Sequence, residues 1–159
     1  MTQKALADKI VRKYGTRDPF RIAKAMGFLL PTVSLEGVRG FYQYIHRCHI
    51  IYVDERLPDE ERRWVCAHEL GHALQHKGYN RIFMDTRTHM VSSRYEKEAD
   101  RFAVDLLYAD DDLRELTEQS IDIVANCLNV SYELAAYRMS TVPPLQSCLF
   151  DVVSYFMYS

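Results

Sequence analysis

The sequence predicts an α+β fold, in which a helical domain carries a small antiparallel β-sheet, a hairpin, beside two helices that hold a candidate site. Two local patterns lead to this prediction. Most of the chain shows helical periodicity bounded by start and stop signals, whereas residues 40–53 are rich in aromatic and β-branched residues. The chain has 159 residues, of which 48% are hydrophobic, so it can bury a real core.

Two helices are predicted before any strand. Residues 3–14 have apolar side chains at helical spacing, and Gly15 ends the pattern. Asp18 is a favourable N-cap, and Pro19 fits the first helical position that follows it. This second, shorter helix is expected to run through Met26.

Strand character begins after the second helix. Residues 28–33 indicate a first strand that Pro31 interrupts, because proline cannot donate to a sheet ladder. Residues 40–53 predict a β-hairpin with Arg47 and Cys48 near its turn.

Two longer helices follow the hairpin. The first begins near Pro58, has acidic residues in its opening turn and is predicted to end at Gly78. Residues 80–90 show no clean period and indicate a loop or an irregular strand. The second helix is predicted from Ser92 or Ser93 to Tyr108.

The remainder of the chain predicts short helices and an apolar end. Asp110 opens a short acidic helix, and residues 120–128 and 131–139 form two more. We therefore expect a core over residues 1–109, a small helical bundle resembling a helix-turn-helix over 110–142 and an apolar tail over 143–159.

The first long helix contains the pattern His68-Glu69-x-x-His72. Histidines four residues apart project from one helix face, about 6 Å apart along the axis. Two neutral imidazoles at that separation can reach one zinc ion, and Glu69 can then accept a proton from a metal-bound water. The pattern is the zincin signature, so the expected fold is zincin-like.

Coincidence and a purely structural helix are the alternatives to a metal site. Gly71 within the motif argues against both, because a helical glycine costs about 1 kcal/mol relative to alanine. Helices tolerate that cost where a substrate, a metal or another backbone approaches closely.

A catalytic zinc needs a third protein ligand. His76 lies two turns beyond His68, about 12 Å along the axis, and so cannot share its ion. On the second long helix Glu96 shares a face with two alanines, and Glu98 points about 200° away from it. If the small-residue face packs against the first helix, Glu96 is the favoured third ligand, with Glu98 as the alternative.

Two further roles are assigned to residues near the expected cleft. Asp100, one turn after Glu96, can accept the N–H of a ligating histidine. His89, Tyr79 and Tyr95 are candidate transition-state donors, although each could instead be structural, and the sequence does not choose among them.

The segments 68–72 and 96–103 resemble the ImmA/IrrE metallopeptidases, a gluzincin-type family of bacteria, phages and mobile elements. The resemblance extends over residues 5–140. It implies a Zn²⁺-dependent endopeptidase with His68, His72 and Glu96 as ligands and Glu69 as general base. It also implies a cytosolic protein substrate, typically a helix-turn-helix repressor encoded beside the peptidase.

An alternative function is a regulatory or DNA-associated sensor that has a zinc site and little proteolytic activity. It comes from the helix-turn-helix-like pattern of residues 117–139. Residues 110–141, however, carry seven acidic residues against Arg114 and Arg138, which opposes contact with phosphates. We therefore do not expect DNA binding.

The remaining sequence features concern where in the cell the protein is expected. No apolar run approaches the ~20 residues that a membrane helix needs, so no membrane partner is expected. The four cysteines form no C-x-x-C pair and the start of the chain is polar. A cytoplasmic protein with free thiols is therefore predicted.

Overall fold

The computed structural model describes residues 1–76 and 89–144. Within these ranges the chain forms seven helices and three strands, and the predicted α+β class is confirmed. The elements are α1 Gln3–Tyr14, α2 Pro19–Ala25, β1 Thr32–Val33, β2 Gly40–Ile45, β3 Cys48–Asp54, α3 Asp59–Gln75, α4 His89–Leu107, α5 Asp110–Arg114, α6 Ile121–Leu128 and α7 Tyr132–Ser140.

Short polar side chains begin α2, α6 and α7, as the sequence predicts. Asp18 accepts the backbone N–H groups of the first turn of α2, and Ser120 and Ser131 do the same for α6 and α7. Gly15 ends α1 in the left-handed conformation, with φ of 66°. The boundaries of these helices therefore follow from local hydrogen bonding.

The start of α4 differs from the prediction. The helix begins at His89, before Ser92 and Ser93, so its first residues are helical where a loop or irregular strand was expected. Serine is a good N-cap, which placed the predicted start too late. Residues 81–91 contain neither glycine nor proline, so the sequence offers no stop signal upstream of the serines.

The sheet is mixed rather than purely antiparallel. β2 and β3 form the predicted hairpin, with Tyr42 opposite Ile51. The turn consists of His46 and Arg47, both in the left-handed region, so it lies one residue earlier than expected. β1 pairs in parallel with the other side of β3, which gives the order β1-β3-β2.

Two groups of buried apolar side chains stabilise the fold. The larger joins α1, α2, the sheet, α3 and α4, and includes Ile22, Ile51 and Leu70. The smaller joins the end of α4 to α5, α6 and α7 around Val104. Trp64 packs against both, so α3 contacts the two groups. The division of the chain at residue 109 stays a prediction.

Membrane insertion receives no support from the helices. Across residues 1–76 and 89–144, none of them combines the length and the apolar character that a bilayer span requires. The predicted tail falls almost entirely in 145–159, outside the described residues.

Candidate metal centre

The candidate centre is built where α3 and α4 approach each other closely. A Cβ atom on Gly71 would lie 3.2 Å from the Cα of Ala99 and 3.3 Å from its carbonyl oxygen. Those contacts are tighter than ordinary van der Waals packing, so the glycine lets the two backbones meet. The sequence left open whether a substrate, a metal or another backbone approaches Gly71. The structure shows that the backbone of Ala99 does.

This contact brings three side chains of the two helices together. The Nε2 atoms of His68 and His72 are 3.0 Å apart, and the carboxylate oxygens of Glu96 lie 3.2 and 3.4 Å from them. A tetrahedral zinc ion with bonds of about 2.0–2.1 Å holds its ligand atoms about 3.3–3.4 Å apart. The spacing of the three groups therefore fits a single metal ion, and the side chains need only small shifts to bind it.

Asp100 fixes the orientation of the His68 ring. The Nδ1 atom of His68 lies 2.8 Å from Oδ1 of Asp100, and since an ionised carboxylate only accepts, the ring must donate there. Neutral imidazole then carries its lone pair on Nε2, which faces Glu96. The predicted histidine–carboxylate contact is thus present.

The contacts within the cluster shift the pKa values of His68 and Glu96. Burial lowers the pKa of His68, but the hydrogen bonds to Asp100 and Glu96 outweigh it and raise this pKa to about 9. The hydrogen bonds to His68 and His72 hold the pKa of the Glu96 carboxyl well below its usual range. Glu96 is therefore ionised at neutral pH, and binding of a metal ion by His68 would release a proton from its ring.

Glu69 is held from the side of the sheet. Its side chain is buried, and Oε2 accepts the backbone N–H of Tyr42 in β2 at 2.9 Å. A Cβ on Gly40 would overlap Cγ1 of Val65 and lie 2.6 Å from the Tyr52 carbonyl oxygen. Gly40 therefore lets β2 lie close against α3. The sequence did not predict these roles of Tyr42 and Gly40, although a glycine at the start of a strand can indicate a close backbone approach.

A cleft of about 370 Å³ opens over these groups. Its walls are residues 37–40, Trp64, Val65, His68, Glu69, Glu96 and Asp100.

Arg56 holds the segment that precedes residues 37–40, because its guanidinium donates both to Asp54 and to the carbonyl of Leu35. The hydrogen bonds from Arg56 lower the pKa of Asp54 to about 2.

The other candidate residues lie apart from the three-residue cluster. Glu98 accepts from Arg94 at 2.8 Å, and its Oε2 is 3.7 Å from Nε2 of His76. The ring of His76 stacks on Tyr95, with centroids 4.1 Å apart. Tyr79 and the side chain of His89 fall outside the described residues, so their predicted roles are untested.

Comparison with known proteins identifies the family. A family model named Peptidase_M78, the IrrE N-terminal-like domain, matches residues 28–140. The chain belongs to this peptidase family. It is 36% identical over 135 residues to "Uncharacterized immunity region protein 2" of Bacillus phage phi105, covering 83% of this chain and 85% of that protein. It is also 24% identical over 150 residues to "Metallopeptidase ImmA" of Bacillus subtilis (strain 168), covering 89% and 88%.

Membership of the IrrE N-terminal-like family makes the chain a metallopeptidase, an enzyme that uses a metal ion to cleave peptide bonds in a protein. Within the described residues, the cluster that could hold such an ion is His68, His72 and Glu96. The resemblance inferred from segments 68–72 and 96–103 is confirmed at the level of the family.

Proposed function

We propose that this chain is a zinc-dependent endopeptidase, with His68, His72 and Glu96 as metal ligands and Glu69 as general base. The observation that carries the proposal is the convergence of two imidazole nitrogens and one carboxylate within 3.0–3.4 Å of one another. Two histidines and one glutamate form a known donor set of catalytic zinc sites, which keep the fourth position open for water or substrate.

When bound, zinc would lower the pKa of a coordinated water to about 7 and polarise the scissile carbonyl. Glu69 would accept a proton from that water and return it to the departing amine. The Tyr42 backbone N–H restrains the Glu69 carboxylate, so the base keeps its position during the transfer. Asp100 holds the His68 ring in the tautomer whose Nε2 is available to the metal.

The proposed substrate is a cytoplasmic regulatory protein, a helix-turn-helix repressor of a phage or mobile element. The family resemblance supports this choice. So does similarity to a Bacillus phage protein that is named for an immunity region. No membrane partner is proposed, and the site of action is the cytoplasm.

A DNA-associated sensor with little proteolytic activity is the alternative. Its support is the arrangement of α6 and α7, which are joined by Asn129 in the left-handed conformation. Arg138 of α7 is fully buried, so its charge is not available to a phosphate. The acidic residues of this bundle also oppose DNA. The helical pair therefore fits a structural role better, and DNA binding remains unexpected.

The Glu69→Gln variant tests the proposal. Glutamine preserves the shape of the side chain and cannot take up a proton, so the variant should keep its zinc and lose about 10²–10⁴-fold in cleavage rate. The assay is co-incubation with the proposed substrate, a helix-turn-helix repressor, with and without chelator. Glu98→Gln, the same substitution on α4, is the matched control and should cleave normally. Cleavage by Glu69→Gln at the normal rate would overturn the assignment.

A further inference from the structure

A second cavity adjoins the cleft of the candidate metal centre. It has a volume of about 360 Å³ and lies between the first turns of α3, the end of α4 and the turn after α6. Arg39 and Trp64 line both this cavity and the cleft. A substrate that crosses the candidate centre can therefore place a nearby side chain in the second cavity, which we call the side pocket.

The inner wall of the side pocket is apolar and aromatic. Trp64 forms the part shared with the cleft, and Tyr108 and Leu128 form the part contributed by the helices beyond it. The hydroxyl of Tyr108 donates to the carbonyl of Leu128 at 2.8 Å, which fixes the phenol ring. Such a wall suits an aliphatic stem, and an indole ring also attracts a cation.

The rim of the side pocket carries the charges. Glu60 and Glu61 are both on it, together with Arg39. Arg39 pairs with Glu61 at 2.7 Å, whereas no ion pair among the described residues involves the exposed Glu60. The rim therefore has a net formal charge of one negative unit, which favours a cationic guest and opposes an acidic one.

We propose that the side pocket is a specificity subsite that accepts a lysine or arginine side chain of the substrate, near the scissile bond. The inference rests on the proposed peptidase function, because it assigns part of the substrate to a particular wall. The aliphatic stem packs on Trp64 and Tyr108, and the cationic end meets Glu60. Basic side chains are abundant on DNA-binding regulators, the class of substrate proposed above.

The sequence contains a single tryptophan, Trp64, so its fluorescence reports on the wall that the side pocket shares with the cleft, and the rim variants below assign the response to the side pocket. The probe is N-acetyl-arginine amide, titrated into the full chain, with the norleucine and glutamate amides as neutral and acidic comparisons. The arginine probe should give a saturable change with a dissociation constant on the order of millimolar, since a ligand of this size makes few contacts. The other two amides should give weaker responses.

Substitution of the rim glutamates should weaken this binding. The double variant Glu60→Gln, Glu61→Gln is expected to lose about three- to tenfold in affinity for the arginine probe, because two partly exposed charges are removed. Asp59→Asn is the matched control, since Asp59 precedes Glu60 on the same helix and lies outside the pocket wall. Equal responses to arginine and norleucine amides, or no saturable response to arginine, would overturn the proposal.

An inhibition assay connects the pocket with catalysis. The arginine amide should inhibit cleavage competitively in its binding range, and the norleucine amide should not. Binding without inhibition would show that the side pocket is no subsite. The fluorescence titration involves no cleavage, so it succeeds or fails independently of the Glu69→Gln test, and failure of the pocket is distinguishable from failure of the peptidase proposal.

Discussion

Asp100 acts on the candidate centre through His68, since its carboxylate accepts from the ring nitrogen that faces away from the cluster. We predict that Asp100→Asn weakens zinc affinity about 10–100-fold, the range found when such orienting carboxylates are replaced. Competition with a chromophoric chelator measures the change. Asp111→Asn, the same substitution at an exposed position on α5, should leave the affinity unaltered. Equal zinc affinities in the two variants would show that Asp100 does not orient His68 for metal binding.

Arg56 affects stability in a pH-dependent manner. Asp54 has a pKa of about 2 in the folded chain, below its ordinary value of 3.8. The unfolded chain therefore takes up a proton first as the pH falls, so this stabilisation is complete above about pH 5 and is lost between about pH 4 and pH 2.

We predict that Arg56→Gln lowers the free energy of unfolding at neutral pH and differs less from the parent chain near pH 2. Urea denaturation over a pH series measures the difference. A difference that stays constant over this range would show that the ion pair does not cause it.

Among the elements, the contact between α3 and α4 decides whether the three proposed ligands meet. Gly71→Ala would gain about 1 kcal/mol of helix propensity and lose about 1–3 kcal/mol to overpacking against Ala99. The nearest atom, Cδ1 of Phe102 at 3.1 Å, belongs to a side chain, but the Ala99 backbone cannot rotate away, so we expect net destabilisation by up to about 2 kcal/mol. Separation of the helices should also weaken zinc binding. Thermal unfolding and chelator competition measure the two effects, and unchanged zinc affinity would contradict this role of the contact.

The elements predicted best from sequence are those with a local chemical cause. Asp18, Gly15 and Ser131 begin or end helices by contacts within a few residues, and all three were identified. The parallel pairing of β1 with β3 was missed, because it joins residues about 20 positions apart and leaves no local pattern. The early start of α4 was missed because a good cap residue lies inside the helix.

At the scale of the whole molecule, Arg138 connects α7 with the rest of the fold. Its fully buried guanidinium donates to the Tyr108 carbonyl at 2.8 Å and to Asp110, and its Nε lies 3.6 Å from Asp105. Loss of one partner from a buried ion pair costs about 3–5 kcal/mol, because the remaining charge is uncompensated. We therefore predict that Arg138→Ala lowers the free energy of unfolding by about 3–5 kcal/mol, which urea denaturation measures.

Arg114→Ala is the control for Arg138, because Arg114 pairs with the exposed Asp111 on the same bundle and should cost less than about 1 kcal/mol. Comparable losses in the two variants would contradict the assigned role of Arg138. The sequence did not predict this burial, since an arginine on a short polar helix is usually exposed.

The geometry of the candidate site was partly accessible from sequence. Helical spacing placed His68, His72 and Glu96 on two facing surfaces, and the structure brings them together. Spacing could not indicate the Tyr42 contact to Glu69, because it depends on how the hairpin packs against α3. The side pocket likewise depends on α3, α4 and α6 meeting around Trp64.

The central claim is that His68, His72 and Glu96 together hold a catalytic zinc ion. Zinc content after dialysis, measured by elemental analysis for Glu96→Ala and Glu98→Ala side by side, tests it most directly. The account predicts about one zinc per chain in Glu98→Ala and a large loss in Glu96→Ala, since a catalytic site uses three protein ligands. Full zinc in Glu96→Ala, with loss in Glu98→Ala, would contradict it.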